Sequence, residues 1–262
     1  VNLLRIKFGT SDFISEIKRI APDILCVHGA YVSNYKSLDF DINLSIEQNC
    51  HQLLSVFKAL KEVKTRALIY TGSVFEGGEG VGSIPSQHFS PYGLSKSITG
   101  QILKYYCFLN EIRFGKFVIP NPFGIFEEKR FVNYLVSNWF NNKIPVVNTP
   151  LYIRDNIPVN LLSAYYTSFL NKIILDSAQI NTDLKLAPTG IIGTNQSFAD
   201  KVSFEFSKRL NKVFKVEYLS QVDFSEPLFR VNYDSDLTLS IKHFNESEFW
   251  DNYVSYYLSL YS

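Results

Sequence analysis

The stretch Arg66-Ala67-Leu68-Ile69-Tyr70-Thr71-Gly72-Ser73 is an apolar run that ends in small polar residues. It reads as a strand buried on both faces whose carboxyl end opens on a ligand crevice. Upstream, Ile24 to His28 (ILCVH), after Pro22-Asp23, is a second such run. Between them Cys50, Leu53, Leu54, Phe57 and Leu60 recur at helical spacing, which predicts strand, helix, strand and hence a right-handed parallel crossover. Downstream, Gly77 to Gly82 (GGEGVG) and the Ser, Pro and His residues up to Ser90 read as a loop. Ser90-Pro91 then supplies an N-cap and an N1 proline for a helix from Pro91 to about Leu109. Lys116 to Ile119 (KFVI) is a third strand, ended by Pro120. The expected fold class is α/β, a doubly wound parallel sheet. Beyond Asn121 the texture changes to aromatic-rich amphipathic segments such as Phe131 to Phe140 and to scattered short strands. The sequence therefore divides into residues 1–120 and a second domain, 121–262.

With 46% hydrophobic and 19% charged residues among 262, the chain can bury a substantial core. Its formal net charge of +1 has no block of like-signed residues behind it, so no footprint for nucleic acid or an anionic membrane is expected. Any substrate phosphate must be met by individual cations. Cys26, Cys50 and Cys107 are widely spaced and sit in apolar settings, which suggests neither a disulfide framework nor a metal site and fits a reducing cytoplasm. No apolar stretch reaches the length of a membrane span. The sequence starts at Val1 and contains no methionine, and is expected to be part of a longer chain.

Tyr92 and Lys96 lie four residues apart on the predicted helix, so they share one face. A phenol with an ordinary pKa of about 10 is a poor base at neutral pH. A cation roughly 4 Å away, at an effective dielectric near 20, favours the phenolate by about 4 kcal/mol, or about three pKa units. The pair alone is weak, because 16 tyrosines yield about one such spacing by chance, an exposed helix pair without function. Order along the chain adds the specificity: Thr71 ends one strand, the helix with Tyr92 and Lys96 follows, and the next strand ends in Pro120-Asn121. In a doubly wound sheet, strand ends of this kind carry the ligand.

These segments together resemble the extended short-chain dehydrogenase/reductases, the NAD-dependent epimerase/dehydratase family, from about residue 8 onward. Ile24 to Tyr31 (ILCVHGAY) is similar to the strand and turn that pass under the cofactor. Thr71 to Gly77 (TGSVFEG) resembles Ser/Thr-x-x-Val-Tyr/Phe, Tyr92 to Lys96 (YGLSK) the catalytic Tyr-x-x-x-Lys, and Asn121 to Gly124 (NPFG) the family's Asn-Val-Tyr-Gly. Arg154 to Val159 (RDNIPV) resembles Arg-Asp-Phe-Ile-His-Val, and Arg230 matches a later arginine. The resemblance implies a Rossmann-like sheet with a C-terminal substrate-binding domain, and NAD or NADP as cofactor. It implies a catalytic group of Thr71, Tyr92 and Lys96, and cofactor contacts from His28, Gly29, Ala30, Tyr70, Tyr92, Lys96 and Pro120. His28 would act there through its backbone, its side chain being structural. Substrate contacts would come from Ser73, Asn121, Arg154 and Arg230, the two guanidinium forks suiting a nucleotide diphosphate or, otherwise, ion pairs. Asn49 matches an asparagine with a structural role. Relatives commonly form homodimers, and Ile98, Ile102 and Tyr105 could lie on such a face or equally on a core face.

Two departures shape the functional expectation. No Gly-x-x-Gly-x-x-Gly turn precedes a helix, although the family seats the cofactor pyrophosphate on that turn; the first βαβ portion is expected to lie outside this sequence. Dehydratases of the family carry Asp-Glu directly after the threonine, where this chain has Gly72 and Ser73, which points away from dehydration. Pro158 also stands at the family's usual histidine. The expected function is redox chemistry on a nucleotide-diphosphate sugar, as a 4-epimerase or a 4-ketoreductase. The alternative is a noncatalytic, regulatory relative that binds a nucleotide or dinucleotide.

Overall fold

A computed structural model describes residues 4–35, 37–81, 90–175, 184–233 and 244–261. In chain order the elements are α1 (Ser11–Ile20), β1 (Ile24–Val27), α2 (Ile42–Asn49), α3 (Leu53–Glu62), β2 (Ala67–Ser73), α4 (Pro91–Leu109), β3 (Arg113–Ile119), β4 (Asn121–Phe123) and α5 (Phe131–Phe140). They continue with β5 (Val146–Val147), β6 (Ile153–Pro158), α6 (Val159–Leu175), β7 (Leu184–Leu186), β8 (Ile191–Thr194), α7 (Asn195–Leu210), β9 (Glu217–Tyr218), β10 (Phe229–Arg230) and α8 (Glu246–Tyr261). The chain forms two compact units, one from 1–79, 86–118 and 169–187, the other from 80–85, 119–168 and 188–262. Residues 169–187, placed by the sequence reading in the second domain, return to the first unit because β7 extends its sheet.

The first unit is built on a sheet of order β1-β2-β3-β7. β1 runs parallel to β2, with Val27 opposite Tyr70, and β3 runs parallel to β7. This is the expected α/β sheet, and every residue of β2 is buried, which the unbroken apolar run required. The helical run expected between β1 and β2 is two helices rather than one. Gln52 adopts a left-handed conformation at φ 51 and starts α3 afresh. Ile17, Val56, Phe57, Leu60, Leu68, Tyr70, Leu103 and Cys107 form the unit's core. α4 spans the predicted residues: Ser90 Oγ accepts from the Gly93 N–H at 3.1 Å, and Pro91 occupies the first turn. Gly93 is required there, since a Cβ would lie 2.1 Å from the Phe75 carbonyl oxygen. The loop expected from Gly77 to Ser90 falls in part on 82–89, outside the described residues.

In the second unit β6 is central, parallel to β4 and to β10 and antiparallel to β8. β5 and β9 make a separate parallel pair. The core is aromatic: Phe123, Trp139, Phe198, Phe206, Trp250, Tyr253 and Tyr257 pack together. Glu127 ties this core to the loop after β4, its Oε1 accepting from both Tyr253 and Tyr257. Among the described residues no helix is long and apolar enough to cross a membrane.

Candidate active site

The carboxyl ends of β1 and β2 lie side by side because the strands are parallel and in register, so His28 and Thr71 emerge next to each other. Thr71 Oγ1 is 2.6 Å from His28 Nδ1. Lys96, on α4 and only 3% exposed, donates from Nζ to the Thr71 carbonyl oxygen at 2.8 Å. Its ammonium also lies 4.3 Å from the centre of the Tyr70 ring, a cation–π contact. The structure thus brings Thr71, Lys96 and His28 together. Tyr92, one turn before Lys96, is held by aromatic neighbours: Tyr35, Phe40 and Phe75 lie with ring centres 5.4, 5.8 and 6.2 Å from its own. α4 is fixed beneath by Ser95, which donates to the Tyr92 carbonyl and meets Ser45 of α2.

Burial lowers the Lys96 pKa to about 8; Glu76 opposes that shift and the charge of Lys116 adds to it. Burial also lowers the His28 pKa, and the Lys96 charge acts in the same direction. Both shifts follow from placing cations in a partly desolvated site. Tyr70, expected among the cofactor contacts, has no exposed surface. Its hydroxyl donates to the Lys96 carbonyl at 2.7 Å, so its side chain supports α4 from below. Ser73 sits at the end of β2, its N–H donating to Glu76 Oε1 and its hydroxyl accepting from the Phe75 N–H.

Glu76 and Lys116 are site-supporting residues that the sequence reading missed. Glu76 is 2% exposed and forms an ion pair of 2.6 Å with Lys116. Lys116 also meets Glu79, which in turn pairs with Lys185. The signal was a lysine opening the apolar run KFVI, since a cation in a buried strand requires a partner. The same pair explains Gly72: a Cβ there would lie 2.7 Å from Lys116 Cε and 2.9 Å from Glu76 Oε1. The position that carries an acid in dehydratases is backed by a preformed ion pair in this chain.

His28 and Gly29 are exposed and Ala30 is half-buried, and nothing lies within 4 Å of the place a Gly29 Cβ would occupy. An open backbone turn beside a buried lysine fits the nicotinamide-ribose end of a dinucleotide. The structural role implied for Asn49 is seen directly: its Oδ1 accepts from the Tyr31 N–H at 2.8 Å. Ile102 packs against the core of the first unit, Ile98 is half-buried, and Tyr105 is exposed.

The second unit holds the other expected residues. Pro120 and Asn121 lie at the start of β4, with Asn121 opposite Asn156. Arg154 is 4% exposed. Its Nη1 donates to the carbonyls of Ile153, Pro227 and Leu228, and its Nη2 to Glu226 at 2.9 Å. It therefore stands as a strut holding segment 226–228 rather than as an open fork. Arg230 shares Glu226 at 3.3 Å. Asp155, fully buried, accepts from the N–H groups of Gly190 and Asn232. Burial raises its pKa to about 6, against the lowering effect of those two bonds.

The model of the NAD dependent epimerase/dehydratase family matches residues 3–159. The chain belongs to that family. A search of the curated proteins finds no match. Among solved structures, UDP-N-acetylglucosamine 4-epimerase from Methanobrevibacter ruminantium, in complex with UDP-N-acetylmuramic acid, is similar at a TM-score of 0.69 and 17% identity, over 94% of this chain and 80% of that one. UDP-glucose 4-epimerase from Thermus thermophilus, in complex with NAD, gives 0.68 and 16% over 98% and 85%. UDP-glucuronic acid 4-epimerase from Bacillus cereus, in complex with UDP-glucuronic acid and NAD, gives 0.70 and 15% over 98% and 81%. At these identities the likeness establishes the shared α/β fold.

Proposed function

We propose that this protein is an NAD(P)-dependent enzyme that oxidises and reduces a carbinol carbon of a nucleotide-diphosphate sugar, as a 4-epimerase or a 4-ketoreductase. The observation that carries the reading is Lys96, a buried ammonium locked by its Nζ to the carbonyl of Thr71 on the helix that also presents Tyr92. A chain does not bury a cation at a strand end without return, because desolvation disfavours the charge. In this reading Tyr92 exchanges a proton with the sugar oxygen, Lys96 favours the phenolate and donates to the nicotinamide ribose, and Thr71, aided by Ser73, orients the reacting oxygen. The bound dinucleotide supplies the hydride acceptor and donor. The turn at His28, Gly29 and Ala30 supports its ring side, and the first unit serves as its domain.

The second unit serves the substrate, with Asn121 facing the sugar and Arg230 meeting the diphosphate. Arg154 fixes the strand beside it. The structural relatives named above include proteins solved with UDP-sugars and with NAD, which supports both the ligand class and the cofactor. Gly72, backed by the Glu76–Lys116 pair, leaves no acid after Thr71 to expel water, so dehydration is disfavoured.

Incubation with NAD(P) and a panel of UDP-, GDP-, dTDP- and CDP-sugars tests the reading, with Tyr92→Phe as the control. The expected result is turnover of at least one sugar, lost by about a hundredfold or more in Tyr92→Phe while ligand affinity persists. Turnover near wild type in that variant removes Tyr92 from the mechanism. Ligand binding with no turnover in the wild type supports a binding protein instead.

A further inference from the structure

Lys96 is 3% exposed and Glu76 2%. A buried ammonium needs a counter-charge as well as a carbonyl to accept its hydrogen bond. The two side chains hold the peptide groups on either side of Gly72: Lys96 Nζ donates to the Thr71 carbonyl at 2.8 Å, and Glu76 Oε1 accepts from the Ser73 N–H at 2.8 Å. A carbonyl and the N–H two residues further on point to the same edge of an extended strand. Ammonium and carboxylate therefore meet one edge at the end of β2. Gly72 leaves room for the carboxylate, because a Cβ there would lie 2.9 Å from Glu76 Oε1. On the far side of Glu76 the charges alternate outward. Lys116 pairs with Glu76 at 2.6 Å and with Glu79 at 2.9 Å, and Lys185 pairs with Glu79 at 2.6 Å. The side chains of Lys185 and Lys116 are 33% and 18% exposed and that of Glu76 0%, so water screens the outer charges more than the inner one. Lys116 is also divided between two acids, which leaves the field of Glu76 incompletely offset at the inner end.

We infer that Glu76 is a positioning residue that acts through Lys96: its carboxylate fixes the end of β2 at Ser73 and is the counter-charge of the Lys96 ammonium. The inference rests on the role proposed for Lys96 in favouring the Tyr92 phenolate. The groups around the ammonium are the Thr71 carbonyl and Tyr70 ring of β2, Tyr92 one turn earlier on α4, His28 after β1, Lys116 of β3 and Glu76 from the loop after β2. Glu76 is the acid in that set. Burial drives Lys96 toward the neutral amine, Glu76 opposes this, and the charge of Lys116 adds to it. A neutral amine would no longer favour the phenolate by its charge. The charge of Glu76 thus sets how far the pH can rise before Tyr92 loses its cation.

Two measurements test this. In protein labelled with carbon-13 at lysine Cε, Lys96→Met identifies the Lys96 signal, and its titration is followed by NMR. Glu76→Gln keeps an acceptor for the Ser73 N–H and removes the charge, so the Lys96 midpoint is expected to fall by about half a pH unit or more. Lys116→Met removes the charge that opposes Glu76 and is expected to raise the midpoint. A midpoint in Glu76→Gln that stays in place or rises overturns the inference. If Glu76→Gln does not fold, as judged by circular dichroism, Lys116→Met decides, and a midpoint there that stays in place or falls overturns it. In the second measurement UDP-glucose and NAD are the probe. The alkaline fall in kcat is expected at lower pH in Glu76→Gln than in wild type, by the shift seen for Lys96. An unmoved profile in that variant, with Tyr92→Phe inactive, overturns the inference and leaves the proposed function standing. If wild type does not convert UDP-glucose, the titration alone decides.

Discussion

Lys96 carries a desolvation cost, since its ammonium is buried. Its pKa in the folded protein, about 8, lies below the ordinary 10.5, so between these values the unfolded chain binds more protons than the folded one. Stability from this group therefore rises as pH climbs from about 8 to about 10.5, by about 3 kcal/mol at most. Below pH 8 the full penalty is present. Lys96→Met is expected to abolish turnover, and its stability relative to wild type should be greater at pH 7 than at pH 10.5, as read by urea unfolding at both. Gly72 gives a second test. Gly72→Asp, which restores the acid of the dehydratases, should destabilise by about 1–3 kcal/mol and yield no dehydration. Its Cβ meets the Glu76–Lys116 pair, and the measurements are the unfolding midpoint and product analysis.

Elements are held to one another by a few buried polar contacts laid over apolar packing. In the second unit α8 closes on the loop after β4 through Glu127, which binds the hydroxyls of both Tyr253 and Tyr257. Burial raises the carboxyl pKa above the usual range, partly offset by those hydrogen bonds. Glu127→Ala strands two phenol hydroxyls in an aromatic core and should cost about 2–4 kcal/mol, with Glu127→Gln costing less. Denaturant titration followed by tryptophan fluorescence checks this, since Trp250 lies in the same core. The break between α2 and α3 belongs to the same scale. Cys50, Leu53, Phe57 and Leu60 share helical spacing, yet His51 and Gln52 leave the helix where Gly9 comes against the His51 backbone. Periodicity reports which face is buried and does not report that another segment crosses the helix axis.

Across the whole chain, pH acts on the two units through different groups. Asp155 of the second unit titrates at about 6 when folded, above the ordinary 3.8. The folded state then holds the extra proton between these values, and stability from this group falls by about 3 kcal/mol as pH rises from about 4 to about 6. Asp155→Asn should remove that slope, even though it loses one acceptor for the Gly190 and Asn232 N–H groups, and hydrogen exchange should report the change in the second unit. The sequence alone determined the α/β class, the parallel pairing of the runs at Ile24 and Ala67, the span of α4, and Thr71, Tyr92 and Lys96 as the candidate chemical group. These are local: a buried strand needs an apolar run, a helix start needs a cap, and a turn of helix fixes four-residue neighbours. What only the tertiary structure decided depends on residues distant in the chain. The return of β7 to the first sheet, the Glu76–Lys116 pair behind Gly72, the engagement of Arg154 by Glu226 and the ring of His28 on Thr71 are of this kind. A buried charge announces that it needs a partner, but which partner is set by the packing of strands, and no periodicity encodes that choice.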